Sequence, residues 1–180
     1  MGNLFLVRPG YEHETQYEAM MVEWEEYGGR LNPGALNRFS NSQQRKVTYA
    51  EWLKWIEGDR KAGQDLYFFT NSEIILGAIS IRPKKNAKSI GNDGHSGFGI
   101  RPSERNKGYA TKMLSMALPI MKGYDINPAV ITCDKDNIGS AKTIVNNGGY
   151  LVKEITGEKT GNIIQFYYID IIGVSLTQHL

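Results

Sequence analysis

The sequence predicts an α/β fold: a three-layer-like sandwich with a mixed, mostly antiparallel central sheet flanked by helices. Two patterns carry this expectation. Apolar residues return at three- and four-residue intervals in four stretches, and short β-branched or aromatic runs bounded by Gly, Asn and Pro lie between them. Their order is one strand, two helices, three strands, a helix, a strand, a helix and two strands, which fits neither a barrel nor a regularly doubly wound sheet.

"LFLV" at 4–7 reads as a short strand, and a helix over 11–27 follows, with Tyr17, Met20, Met21 and Trp24 on one face. Its other face is acidic, with Glu12, Glu14, Glu18, Glu23, Glu25 and Glu26, and reads as solvated. The stretch 28–46, rich in Gly, Asn and Ser, has little periodicity and reads as a long loop that could cover a substrate. A capping box, Thr48-x-x-Glu51, opens a second helix that carries Trp52, Leu53, Trp55 and Ile56.

"LYFF" (66–69) and "ILGAISIRP" (75–83) read as strands, and a glycine-rich connection, "GNDGHSGFGIRP" (91–102), leads into the next helix. There Ala110, Met113, Leu114, Ala117, Leu118 and Met121 make one apolar stripe, with a kink or an early end expected at Pro119. "AVITC" (129–133) is a buried strand. A helix over 138–147 is capped by Asp136 or Asn137 and stopped by Gly148 and Gly149. Strands at 150–155 and 163–172 then form a hairpin around Gly157 to Gly161.

Composition narrows the function. With 180 residues, 41% of them hydrophobic, the chain reads as a single domain over 1–180. A formal net charge of +2 gives no global field for nucleic acid or an anionic membrane. The single cysteine, Cys133, closes no intrachain disulfide, and three scattered histidines offer no metal-ligand spacing, so no metal is expected. The longest apolar tract, 163–174, is interrupted by Gln165 and Asp170 and is shorter than a membrane span. With no secretory or myristoylation signal at the start, a cytoplasmic protein is expected.

The stretch that carries chemistry is "RPSERNKGYATKM", 101–113. The first turn of a helix has backbone N–H groups without intrahelical partners, and the helix dipole adds about half a positive charge there. In Arg105-Asn106-Lys107-Gly108-Tyr109-Ala110-Thr111, the glycine allows close backbone approach, the two cations add charge and the threonine adds a hydroxyl. This suits a diphosphate. An ATPase loop is excluded because Lys107 precedes its glycine, and the dinucleotide fingerprint fails because Pro102 stands where its third glycine belongs.

"GFGIRPSERNKGYATKML" resembles the acyl-CoA-binding motif of the GNAT superfamily of N-acetyltransferases: Arg or Gln, two residues, Gly, one residue, then Gly or Ala. Arg105, Gly108 and Ala110 match it, and Asn137 and Ser140 resemble the family's downstream Asn-x-x-Ser/Ala segment. The resemblance spans about 66–170 and implies an acyl-CoA N-acyltransferase-like fold whose strands splay at the cofactor site. It implies acetyl-CoA as cosubstrate, with the arm against Phe98, Gly99 and Ile100, the pyrophosphate on the amides of Asn106 to Ala110, and Asn137 on the other side of the arm. Gly97 and Gly99 suit a bulge there.

Acetyl transfer to an amine requires a base, a polarised thioester carbonyl and help for the departing thiolate. A backbone N–H from Phe98 to Ile100 is the expected polariser, and His95 the expected base, with Asp93, Glu51 and Glu73 in reserve. Many relatives carry a tyrosine as thiolate acid seven residues after the capping Asn. Here that position is Ile144, which leaves Tyr150, Tyr109 or solvent. Cys133 is expected to be a buried strand residue, because direct attack by the amine needs no acyl-enzyme.

The expected activity is transfer of an acetyl group from acetyl-CoA to a primary amine of a small molecule or protein. The alternative is a non-catalytic acyl-CoA-binding sensor that kept the cradle. The aromatic-rich final strand could also pair two copies into a homodimer.

Overall fold

In the computed structural model the chain is described over residues 3–40, 45–83, 93–157 and 161–172. Parts of three expected features lie outside these residues: 41–44 of the long loop, 91–92 of the glycine-rich connection and 158–160 of the last hairpin. A mixed seven-stranded sheet, ordered β1-β4-β5-β6-β7-β9-β8 and flanked by helices, matches the predicted class. By internal packing the chain forms two compact units, one of 1–80 and 98–109, the other of 81–97 and 110–180.

The first unit contains β1 (Phe5–Val7), α1 (Glu14–Tyr27), the short pair β2 (Phe39–Ser40) and β3 (Arg45–Lys46), α2 (Tyr49–Ala62), β4 (Asp65–Thr70), most of β5 (Ile75–Ile81) and three residues of β6 (Ser96–Ile100). α1 is entered through a 3₁₀ turn, Tyr11–His13. The predicted apolar face of α1 is buried, and with Tyr49, Trp52 and Ile56 of α2 it packs on Leu66, Phe68, Ile75 and Ala78. Trp52 stacks on Phe68 at 6.1 Å and lies 4.7 Å from the Tyr17 ring. Each such buried aromatic contributes about 1.5–3 kcal/mol through area removed from water. The capping box forms as predicted, with Glu51 N–H donating to Thr48 Oγ1 and Thr48 N–H donating to Glu51 Oε2 at 2.9 Å.

The acidic face expected on the first helix is exposed at Glu12, Glu14, Glu25 and Glu26, as predicted, and it also carries specific ion pairs. Glu18 meets the buried Arg38, Glu25 meets Lys46 at 3.0 Å, and Glu23 meets Arg101 at 2.7 Å. The predicted loop is anchored as well. Leu36 is fully buried, its carbonyl accepts from Tyr17 Oη, Trp52 Nε1 donates to the Ala35 carbonyl at 2.9 Å, and Arg38 lies over the Tyr17 ring. No periodicity announces these anchors, because each residue reaches the core singly.

The second unit contains α3 (Tyr109–Gly123) beyond its first residue, β7 (Ala129–Asp134), α4 (Ile138–Val145), β8 (Tyr150–Thr156) and β9 (Ile163–Ile169). β7, β9 and β8 form an antiparallel meander in space, with Val130 opposite Tyr168 and Tyr168 opposite Tyr150. α3 does not end at Pro119 but continues to Gly123. Its buried stripe, Met113, Leu114, Ala117, Leu118 and Met121, runs on both sides of the proline, so packing offsets the one backbone bond the ring removes. The cap of α4 is Asn137, whose Oδ1 accepts from Ser140 N–H at 3.0 Å. The chain leaves α4 through Gly148, whose φ of 82° is left-handed, as the predicted glycine stop requires.

β6 is parallel to β7, and the recorded register between them is a single pair, Ser96 with Ile131.

Candidate functional site: the edge of β6 and the turn into α3

Arg101 N–H donates to the Leu76 carbonyl of β5 at 2.9 Å, so the alternation of a strand turns the backbone groups of Gly99 toward β5 and those of Phe98 and Ile100 away from it. Both outward carbonyls are occupied from within the first unit. Asn32 Nδ2 donates to Phe98 O at 2.9 Å and Arg105 Nε donates to Ile100 O at 3.0 Å. The outward N–H groups of Phe98 and Ile100 are the donors this edge presents to a ligand.

The bulge expected at Gly97 and Gly99 is not needed. Arg82 N–H to His95 O at one end of β6 and Arg101 N–H to Leu76 O at the other keep the same offset with β5, so no extra residue is inserted between them. Gly99 serves close approach instead. A Cβ there would overlap the Asn32 carbonyl oxygen and stand 2.8 Å from the Trp24 ring.

Beyond β6 the chain is gripped by α1. Arg101 donates to Glu23 through Nε at 2.8 Å and Nη2 at 2.7 Å, and Ser103 donates to the same carboxylate through its N–H and, at 3.1 Å, its hydroxyl. Burial pushes the Glu23 carboxyl up, but the Ser103 N–H, the Arg101 side chain and the Ser103 hydroxyl outweigh it and hold the group below its ordinary value. The guanidinium of Arg105 lies over the Tyr27 ring at 4.5 Å and the Trp24 ring at 5.4 Å. It is therefore a strut between α1 and β6. Lys107 pairs with Glu104 at 3.1 Å.

Between these supports, Asn106 has φ 61° and Gly108 φ 78°, flanking Lys107. Left-handed residues on either side of Lys107 suit the kind of turn whose N–H groups can gather around an anion. Tyr109 follows as the first residue of α3, with its ring edge-on to Phe69 at 6.0 Å. A Cβ built at Gly108 meets nothing within 4 Å, so the space above the turn is open.

The other predicted residues belong to the second unit. Ala110 and Thr111 are in the first turn of α3, and the Thr111 carbonyl accepts from Asn147 Nδ2 at 3.2 Å. Asn137 is exposed and uses Oδ1 as the cap; Ser140 is hydrogen-bonded to the Cys133 thiol. Cys133 is buried, as expected, and burial pushes its thiol up despite the Ser140 bond.

His95 is buried, and its Nδ1 accepts from Val130 N–H at 2.9 Å while its backbone N–H donates to the Val130 carbonyl at 2.7 Å. The accepting nitrogen carries the lone pair that a base would use, so the geometry makes His95 a tie between β6 and β7. Tyr150 lies on the edge strand β8, two ladders away from β7 within the second unit, half-exposed and edge-on to Tyr168. Ile144 is fully buried, with the backbone at Gly149 packed against it. Among the reserve carboxylates, Glu51 is held at about 2 by Arg45 and the Thr48 N–H and hydroxyl, far below the range of a base.

Glu23, Asn32 and Arg101 support the site and were not singled out from the sequence. Glu23 lay within an acidic face and Asn32 within a polar loop, where composition hides a specific contact. Among the described residues no group of His, Cys, Asp and Glu could hold a metal ion, and no helix is long and apolar enough to cross a membrane.

This strand edge and turn lie within a stretch whose family the sequence identifies. The family described as the acetyltransferase (GNAT) domain matches residues 8–149, and the chain belongs to it. No curated protein matches the sequence. Solved structures share the fold at low identity. RimJ of Mycobacterium smegmatis in complex with CoA-disulfide has a TM-score of 0.70 at 11% identity, over 94% of this chain and 82% of that one. The microcin self-immunity acetyltransferase MccE, in complex with acetyl-CoA and AMP, has a TM-score of 0.65 at 15% identity, over 93% and 92%. A spermidine N-acetyltransferase chimera from Vibrio cholerae and hSSAT has 0.64 at 11%, over 93% and 95%.

Proposed function

We propose that this chain, acting as one domain over 1–180, is an N-acetyltransferase that moves the acetyl group of acetyl-CoA to a primary amine of a small molecule or protein by direct attack. The observation that carries the reading is the open turn Arg105 to Gly108, with left-handed Asn106 and Gly108, in a member of the acetyltransferase family. The N–H groups of Asn106 to Ala110 suit the pyrophosphate of coenzyme A, with Thr111 beside them. The outward N–H groups of Phe98 and Ile100 suit acceptor atoms of the acyl arm, and the carboxamide of Asn137, with Ser140 following, is retained for the arm. The acetyl-CoA and CoA complexes among the structural neighbours support this use of the fold.

In the reaction the amine nitrogen bonds to the thioester carbon, the C–S bond breaks, and the amine proton passes to water. An outward N–H of β6 polarises the carbonyl. The departing group is a thiolate, which takes a proton from solvent or from Tyr150 once the C–S bond has broken. His95 contributes by holding the strand, and the buried Ile144 offers no proton to the thiolate.

The acceptor belongs to a class that the neighbours illustrate with spermidine. We place the protein in the cytoplasm, without a nucleic-acid or membrane partner, and allow a homodimer, though not through the final strand β9, which already pairs with β7 and β8. A sensor that binds acyl-CoA without turnover is the second reading, favoured by the occupied lone pair of His95 and the buried Ile144. Thiol release from acetyl-CoA across a panel of amines separates them. Steady release with one amine supports the enzyme, and tight binding without release for any amine supports the sensor.

A further inference from the structure

The segment 28–40 and the donor strand are joined at one residue, Asn32. The segment begins at two consecutive glycines with left-handed φ of 76° and 86°, an unusually permissive start. Its later half is bolted to the core through Leu36, the Ala35 carbonyl and the buried Arg38. Between the two, Asn32 makes two contacts with β6: its amide donates to the outward carbonyl of Phe98 at 2.9 Å, and its own carbonyl fills the space over Gly99 that any side chain would need.

These contacts fall on the stretch of strand where the acyl donor is proposed to pair. We propose that Asn32 is a positioning residue for the transfer reaction: it clamps the segment 28–40 to the donor strand, so that the order of the segment and the occupancy of the strand are coupled. The inference rests on the acetyl-CoA reading given above.

The coupling has a physical cause. Phe98 O would otherwise be an acceptor at the strand edge, competing for the amide N–H groups of an incoming acyl arm. With that oxygen taken by Asn32, the edge offers only N–H donors, Phe98 and Ile100, and so fixes which atoms of the arm it receives. The carbonyl of Asn32 is then held directly beside the strand, so a ligand that stiffens β6 also stiffens the segment, and loss of the Asn32 bond frees the segment while leaving the N–H donors in place.

The test is hydrogen exchange on the full chain, with and without acetyl-CoA, for wild type, Asn32→Asp and Asn32→Ala. Asn32→Asp keeps the shape but sets a carboxylate oxygen against a carbonyl; Asn32→Ala removes the donor without repulsion. Losing one such bond changes a local opening equilibrium about fivefold. Amides of 28–37 should therefore exchange about fivefold faster in both variants, and more for Asp, with α2 unchanged.

At acetyl-CoA concentrations that calorimetry shows to saturate each protein, the ligand should slow exchange of 28–37 in wild type and not in Asn32→Asp. If acetyl-CoA binds wild type and both variants show the wild-type exchange of 28–37, the role of Asn32 is overturned and the acetyl-CoA reading stands. If acetyl-CoA does not bind wild type, the acetyl-CoA reading fails and this role fails with it.

Discussion

Replacing Glu23 with Ala should be one of the most damaging single changes outside the hydrophobic core. The carboxylate accepts two bonds from Arg101, at 2.8 and 2.7 Å, and two from Ser103. The Arg101 side chain is 11% exposed, and after truncation it keeps only a long 3.4 Å bond to the Ile75 carbonyl. Breaking a fully buried pair costs about 3–5 kcal/mol. Glu23 is 23% exposed, so water recovers part of this and about 3 kcal/mol is the expected loss.

For a chain of this size that corresponds to a fall in Tm of about 6–12 °C. The carboxyl is held below its ordinary value in the folded state, so its stabilisation is present above the unfolded pKa, near 4.5, and is lost as pH falls through the folded value. Urea unfolding of wild type and Glu23→Gln should thus differ most near neutral pH and converge as pH falls from the unfolded value through the lower folded one. A loss under 0.5 kcal/mol for Glu23→Ala, or a pH-independent gap for Glu23→Gln, would refute the claim that this carboxylate grips the turn.

Three further outcomes are expected. Gly108→Val should weaken acetyl-CoA binding by calorimetry at least tenfold, because the side chain enters open space over the anion turn, and should cost about 2 kcal/mol of stability for a left-handed β-branched residue; unchanged affinity contradicts the cradle. His95→Ala should lose about 2–3 kcal/mol by leaving the buried Val130 N–H without an acceptor, yet keep thiol-release turnover within about tenfold well below its Tm; a larger fall in turnover with intact stability would restore His95 as the base. Cys133 should react with an aromatic disulfide reagent only as fast as the protein opens, since burial raises its thiol, and rapid native labelling would show that the β7 end is exposed.

The elements and the turn from Arg105 to Gly108 are legible in the linear chain. Helical and strand periods, the Thr48 to Glu51 box, the Asn137 cap and the run from Arg105 to Ala110 are local signals, each decided by residues within a few positions of one another, so a linear reading finds them. The early end that Pro119 suggests does not occur, because the buried stripe continues past it to Met121.

Only the tertiary structure decided what those local signals touch. Arg105 reads as a charge for phosphate, but it stacks on Tyr27 and bonds Ile100 O; Glu23 reads as solvated, but it holds Arg101 across 78 positions of chain. His95 reads as a base, yet its lone pair is spent on a backbone N–H 35 positions away. Long-range hydrogen bonds leave no period in a sequence, because their energy depends on distance in space and on desolvation, both set only after the chain has folded.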